Sequence, residues 1–209
     1  MDSLSGRIEV IAGCMFSGKS EELIRRLKRA QIARQRVIAL KSSLDNRYGL
    51  EAITSHGGSR LESALVSTSA DILTVVEERQ VEVVGVDEVQ FFDPAIIDVS
   101  EYLAGKGVRI ILAGLDQDFR GEPFGPMADL LSLAEEVTKL TAICMVCGRP
   151  ATRTQRIVNG RPARYDDPIV MVGAAESYEA RCREHHVVPG RPERIPERGA
   201  LFGGPGDNQ

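Results

Sequence analysis

Gly13-Cys14-Met15-Phe16-Ser17-Gly18-Lys19-Ser20 fits the spacing G-x-x-x-x-G-K-[ST], and each fixed letter has a task in holding a nucleoside triphosphate. The glycines let backbone N–H groups curl around phosphate oxygens, the lysine ammonium reaches the β- and γ-phosphates, and the serine hydroxyl ligates Mg²⁺. A second, acidic element must position that ion. Asp87-Glu88, directly after the apolar run Val81-Glu82-Val83-Val84-Gly85-Val86, supplies it. Asp87 is read as the Mg²⁺-site carboxylate, acting through water because Mg²⁺ keeps much of its hydration. Glu88 is then free to accept a proton from a hydroxyl or water attacking the γ-phosphate. The plainer alternative is that the two acids cap the helix that follows.

Cys144-x-x-Cys147 and Cys182-x-x-His185 form a second constellation. Two paired-ligand knuckles with a long loop between them suit a closed tetrahedral Zn²⁺ site. Four protein ligands leave no position for water, so the zinc is expected to be structural, pinning both ends of a hairpin with little core of its own. Buried free thiols, or His186 in place of His185, are the alternatives. Aromatic residues are few and Trp is missing. Phe91 and Phe92 follow the acidic pair, Phe119 and Phe124 bracket a Gly/Pro-rich loop, and Tyr178 precedes Cys182 by what would be one helical turn. Such rings near a phosphate site can stack a base or exclude water, although core packing explains any single one better. His56, in a polar loop, receives no catalytic role.

The phosphate loop needs a buried strand before it and a helix after it. Residues 7–12 (RIEVIA) supply the strand and 19–34 the helix. Glu21 and Glu22 sit in the first turn of that helix and its cations come later, as the helix dipole favours, while Leu23, Leu27 and Ala30 mark an apolar stripe. Further along, the pattern predicts a strand near 36–41, a polar stretch through Gly57-Gly58, a short helix near 69–79, a strand over 81–86, a helix over 94–104 begun by Pro94, and a strand over 108–113. Such alternation signals a mainly parallel sheet flanked by helices, with ligands at the strands' C-terminal ends. The loop 115–126 lies at one of those ends and is too rich in Gly and Pro to be regular. Beyond Cys144, residues 152–158 and 162–165 flank Asn159-Gly160, a type I′ hairpin signal. The expected division is a phosphate-loop core over 1–142, a small zinc-binding β-ribbon over 143–188, and a disordered tail over 189–209.

With 209 residues, 43% of them hydrophobic, the chain has length for one domain and an appendage. No apolar run approaches membrane-spanning length, and residues 1–6 lack a secretion pattern. A cytoplasmic protein with no membrane association is expected. A net charge of −4 argues against stable nucleic-acid binding. Four cysteines in such a chain suggest metal binding or burial and not a disulfide framework.

The phosphate-loop motif, Asp87-Glu88-Val89-Gln90-Phe91-Phe92, the run from Leu115 to Pro126 (LDQDFRGEPFGP) and the Cys/Cys/Cys/His set, in this order and spacing over about residues 6–186, resemble the type II thymidine kinase family. The resemblance implies a RecA-like core, a zinc-anchored lasso closing over the nucleoside, and transfer of the ATP γ-phosphoryl group to the 5′-hydroxyl of thymidine in deoxynucleotide salvage. It implies ATP contacts from Gly13 through Ser20, from Asp45, Asn46 and Arg47, and from Asp87, Glu88, Val89 and Gln90, with Glu88 as proton acceptor. Thymidine would meet Met15, Phe91, Leu115, Phe119, Phe124, Thr154 and Tyr178, and the lasso backbone over Ile169, Val170, Met171, Val172 and Gly173. Arg120 is a further cation for the transferred group. A homotetramer is implied, with dTTP as a candidate feedback inhibitor. Cys14 departs from the family pattern, which usually has Pro there, and Met171 stands where smaller aliphatic side chains are common. Two other classes fit the core motifs alone: an ATPase coupling hydrolysis to movement or nucleic-acid handling, and a non-catalytic nucleotide sensor.

Overall fold

The computed structural model describes residues 6–43, 52–54, 60–169 and 176–193. In chain order the elements are β1 (Arg7–Gly13), α1 (Lys19–Ile32), β2 (Val37–Ser42), β3 (Ala52–Thr54), β4 (Arg60–Glu62), β5 (Ala64–Val66), α2 (Ser69–Glu78) and β6 (Val83–Asp87). A single 3₁₀ turn, Val89–Phe91, leads to α3 (Ile96–Gly105), β7 (Arg109–Gly114), α4 (Met127–Leu133) and β8 (Glu136–Leu140). The remaining strands are β9 (Ala142–Ile143), β10 (Pro150–Ala151), β11 (Arg153–Val158), β12 (Arg161–Pro162) and β13 (Glu176–Arg181). Six strands form one sheet in the order β5-β2-β6-β7-β1-β8, every neighbouring pair parallel.

Both faces of this sheet are covered, and the period-2 alternation of each strand divides its side chains between two cores. Ile8, Val10 and Ala12 of β1, Ile38 and Leu40 of β2, Val84 and Val86 of β6, and Ile110 and Leu112 of β7 meet Ile72, Val76, Ile96, Leu103, Met127 and Leu130 of α2, α3 and α4. The intervening residues Ile11, Ala39, Val83, Ile111 and Ala113 meet Leu23, Ile24, Leu27 and Ala30 of α1. Helix α1 lies close because β6 carries Gly85: a Cβ there would stand 2.5 Å from Leu27 Cδ1. The stripe Leu23, Leu27, Ala30 is the buried face the sequence indicated. This is the expected α/β class with helices on both faces.

Several elements differ from expectation. Pro94 does not open α3; it precedes a helix that begins at Ile96, with Asp93 Oδ1 accepting from Ala95 N at 3.1 Å. Asp93 Oδ2 also accepts from Ser69 N at 3.0 Å, so one carboxylate ties the starts of α2 and α3 together. Helix α4 and edge strand β8 extend the core where no element was expected. Tyr178 lies on strand β13, not a helical turn before Cys182. The hairpin at Asn159-Gly160 forms with both residues at positive φ (50° and 74°), as a type I′ turn requires. Strand β12 covers only Arg161–Pro162, while β13 pairs with the other edge of β11 over six residue pairs. The tail from residue 194, like Asp45, Asn46, Arg47, Val170, Met171, Val172 and Gly173, lies outside the described residues.

A buried charge cluster closes the N-terminal end of the sheet on the α1 side. Glu9, fully buried on β1, accepts from Arg26 (2.6 Å), Arg109 (2.6 Å) and Arg7 (2.7 Å). Burial alone would raise its pKa, but the hydrogen bonds from Arg109, Arg7 and Arg26 prevail and hold it at about 2, against an ordinary 4.5. A carboxyl depressed in the folded state stabilises fully above its unfolded pKa, and that stability is lost as pH falls through the folded value. Glu9→Gln is therefore expected to cost on the order of 3 kcal/mol at neutral pH, with the gap to the parent protein closing between about pH 4.5 and 2. Urea melts of both proteins across this interval provide the check; a gap that does not change with pH would contradict the assignment.

Candidate active site at the C-terminal edge of the sheet

Three strand ends converge here. β1 runs into the phosphate loop, β6 ends on Asp87, and β7, which lies between them, ends at Gly114 and leads to Leu115. Two strand spacings separate β1 from β6, roughly 10 Å, and the first turn of α1 spans that gap: the Ser20 side chain hydrogen-bonds Asp87. The two residues expected to share Mg²⁺ are thus already in contact. Asp87 is buried, and burial followed by the adjacent Glu88 charge raises its pKa, with Ser20 and Lys19 opposing.

The loop has the shape of a cradle. Gly18 takes φ 87° at the N-cap of α1, and the space a Cβ would fill there is open. At Gly13 a Cβ would stand 2.6 Å from Ser17 Oγ, so the glycine lets that hydroxyl fold in. Ser17 Oγ is buried and has no hydrogen-bond partner among the described residues. A buried hydroxyl left unsatisfied at a cradle of backbone N–H groups fits a site built for oxyanions. Lys19 is 9% exposed and its Nζ donates to Cys14 O at 2.9 Å. Burial lowers its pKa, and the charges of Glu88 and Asp87 work against that shift. Phe16 is 45% exposed at φ 65°.

Glu88 stands in the left-handed region (φ 54°, ψ 42°), a conformation that costs a non-glycine residue about 1–3 kcal/mol and persists where surroundings enforce it. Phe91 N donates to the Glu88 carbonyl at 3.1 Å, and the side chain is braced by Gln90. Its Nε2 donates to Glu88 Oε2 at 2.5 Å, and its Oε1 accepts from Leu115 N at 3.0 Å. Gly114 permits this approach, since a Cβ there would stand 2.7 Å from Gln90 Oε1. Val89 is buried in the core. The acidic pair does not cap α3, whose N-cap is Ala95 with no side-chain cap hydrogen bond.

The loop after β7 is irregular, as its composition indicated, but it is closed on itself. Gln117 and Pro123 form an isolated bridge, and Asp118 Oδ1 accepts from Arg120 N and Glu122 N at 2.9 and 3.1 Å. Arg120 pairs with Asp118 at 2.7 Å and lies over the rings of Phe119 and Tyr165, so the described geometry directs it to the loop. Phe91 and Phe124 meet edge to face at 5.5 Å. Leu115 and Phe119 are buried, while Met15, Phe124 and Tyr178 are half-buried.

Residues beyond β8 form the wall opposite. Sγ of Cys144, Cys147 and Cys182 and a ring nitrogen of His185 all lie within 4.8 Å of one another. Cys147 Sγ to Cys182 Sγ and Cys144 Sγ to His185 Nδ1 are both 3.8 Å, and Cys182 Sγ to His185 Nδ1 is 3.2 Å. Tetrahedral bonds of about 2.3 Å to sulfur give edges near 3.8 Å, so the donor set fits zinc. Arg149 donates to Cys147 Sγ at 3.4 Å, the largest influence lowering that thiol's pKa. His186 is not the fourth ligand: its Nε2 is 2.8 Å from Phe119 O. A carbonyl can only accept, so Nε2 carries the hydrogen, and burial keeps the ring's pKa low.

This wall is joined directly to the phosphate loop. Cys14 Sγ donates to Ala151 O at 3.3 Å and packs with Ala142, Cys144, Ala151, Ala180 and Cys182. Burial raises its pKa, so the thiol stays a neutral donor. That contact ties the phosphate loop to the zinc-ligand segment through the Cys14 side chain. Thr154, expected against the nucleoside, accepts from Met15 N at 3.1 Å and so holds the loop's backbone. Sequence reasoning also missed Lys41, buried at the end of β2 and level with Asp87 in the register; a lysine closing an apolar strand was the available signal. It missed Asp116 too, which pairs with Lys139 of β8 at 2.8 Å. No helix among the described residues is long and apolar enough to cross a membrane. Compared with known families, the sequence matches the one described as thymidine kinase over residues 6–186.

Proposed function

The chain belongs to the thymidine kinase family, and from that premise we propose that it transfers the γ-phosphoryl group of ATP to the 5′-hydroxyl of thymidine. One observation supports the transfer reading above others: Glu88, in an enforced backbone conformation, is braced by Gln90 at the same sheet edge as Lys19, Ser20 and Asp87. A carboxylate held in this way is suited to take a proton at a fixed place.

In this reading Gly13 through Ser20 hold the β- and γ-phosphates, Lys19 lies against the charge that develops on the transferred group, and Ser20 and Asp87 hold Mg²⁺. The ion, when bound, neutralises phosphate charge. Glu88 accepts the 5′-hydroxyl proton as that oxygen bonds to the γ-phosphorus and the bond to the ADP oxygen breaks. Phe91, Phe124, Leu115 and Phe119 wall the nucleoside from water, which limits wasteful hydrolysis. Asp45, Asn46 and Arg47 are proposed for the triphosphate and the backbone over Ile169 to Gly173 for the base. The zinc-bearing segment over 143–188 acts as the lasso module beside the 1–142 core. A cytoplasmic homotetramer inhibited by dTTP completes the proposal. Incubating the protein with γ-labelled ATP and each of the four deoxynucleosides should label dTMP. Label in inorganic phosphate alone would reject the reading.

A further inference from the structure

The side chain that stands out is Arg156. It is the largest fully buried side chain among the described residues, and a guanidinium is among the costliest groups to take out of water. It sits on β11, directly opposite Tyr178 of β13 in the antiparallel register. Because strand side chains alternate, it shares a face with Thr154, whose hydroxyl holds the phosphate loop at Met15. From this position Nη1 donates to Pro168 O at 2.6 Å and Ile169 O at 3.2 Å. The guanidinium carbon lies 4.6 Å from the centroid of Phe119, a cation–π distance. The carbonyl of Phe119 is held in turn by His186.

Phe119 from the loop after β7 and Ile169 from the segment before β13 thus meet on one side chain, whose cross-strand neighbour is Tyr178 of β13. All three are proposed to line the nucleoside. A methionine or leucine would pack the same space without the desolvation cost. What the guanidinium adds is a flat, charged face for the Phe119 ring while the two hydrogens of Nη1 serve two successive carbonyls.

We propose that Arg156 is a positioning residue for the nucleoside subsite, fixing the Phe119 ring and the Pro168–Ile169 backbone relative to each other so that the acceptor is held for attack. This rests on the thymidine kinase reading. Arg156 touches neither reacting atom and acts through the groups it holds. Its removal should therefore weaken acceptor binding selectively, leaving the phosphate side, which rests on β1 and α1, largely intact.

The test is steady-state kinetics of Arg156→Lys, Phe119→Leu and the double variant, with thymidine and ATP varied separately. Lysine keeps the charge but lacks the planar face that lies against the Phe119 ring. The expected result is a thymidine KM raised about 10- to 100-fold, the range for losing a charged hydrogen bond, with ATP KM changed by less than about threefold. Phe119→Leu should give the same split, and the double variant should fall short of the product of the single effects, because both remove one contact. Thymidine and ATP KM rising together, or a lower Tm with both KM values unchanged, would overturn the proposal, as would strict additivity. A parent protein that does not phosphorylate thymidine would instead defeat the functional reading, so the two failures are separable.

Discussion

Glu88→Gln is expected to lower turnover by about 10²- to 10⁴-fold, the usual contribution of a positioned general base, while ATP affinity stays within about twofold. The substitution keeps the volume and leaves an amide oxygen that can still accept from Gln90 Nε2, so the brace at Glu88 persists. It removes only the ability to take a proton. The αL backbone at this position persists as well, since neither side chain relieves it. Single-turnover mixing with pre-bound ATP separates the chemical step from binding. Turnover retained within a few fold would remove Glu88 from the role, whatever became of KM.

Zinc removal is the second large effect. Structural zinc contributes on the order of 10 kcal/mol in comparable sites, against a net of about 1 kcal/mol for each hydrogen bond of the β11–β13 ribbon. A zinc ion held by these four ligands would therefore decide whether residues beyond β8 keep their arrangement. Full chelation, or Cys147→Ser at the most exposed ligand, should abolish measurable thymidine binding and reduce the strand signal in circular dichroism. The contacts of Cys14 with Ala151 and of Met15 with Thr154 extend the effect to the ATP side: ATP affinity should also fall, by a smaller factor, because the phosphate loop loses one wall. The sheet and its two cores should survive, as they depend on α1, α2, α3 and α4. Unchanged circular dichroism and thymidine affinity in metal-free protein would contradict the structural role.

The parts legible in the sequence are those where local chemistry and chain periodicity agree. Val10 and Ile11 before the loop, and Leu23, Leu27 and Ala30 after it, announced the strand and helix that hold Lys19 and Ser20. The apolar run before Asp87 announced β6 in the same way, and the Cys and His spacing announced the four-ligand cluster. What could not be read depends on contacts between distant residues. β8, with the sequence EVTKL, is an edge strand whose exposed positions blur the alternation, and the seven residues of α4 are too few for a helical period. Gln90 looked like one letter of a motif, although it braces Glu88 and reaches Leu115, 25 positions away. Thr154 and Cys14 are joined to partners 139 and 137 residues away. Arg156 read as one polar strand residue among several because its partners lie on three separate segments.

The central claim is that the triphosphate held at Gly13 to Ser20 is spent on a nucleoside and not on water. Measuring ADP formation with and without thymidine, at saturating ATP and Mg²⁺, tests it most directly. The account predicts ADP formation that depends on thymidine, with one dTMP appearing for each ADP and little turnover in its absence. Equal ADP formation in both conditions would contradict it and point to an ATPase, and no ADP in either would point to a nucleotide sensor.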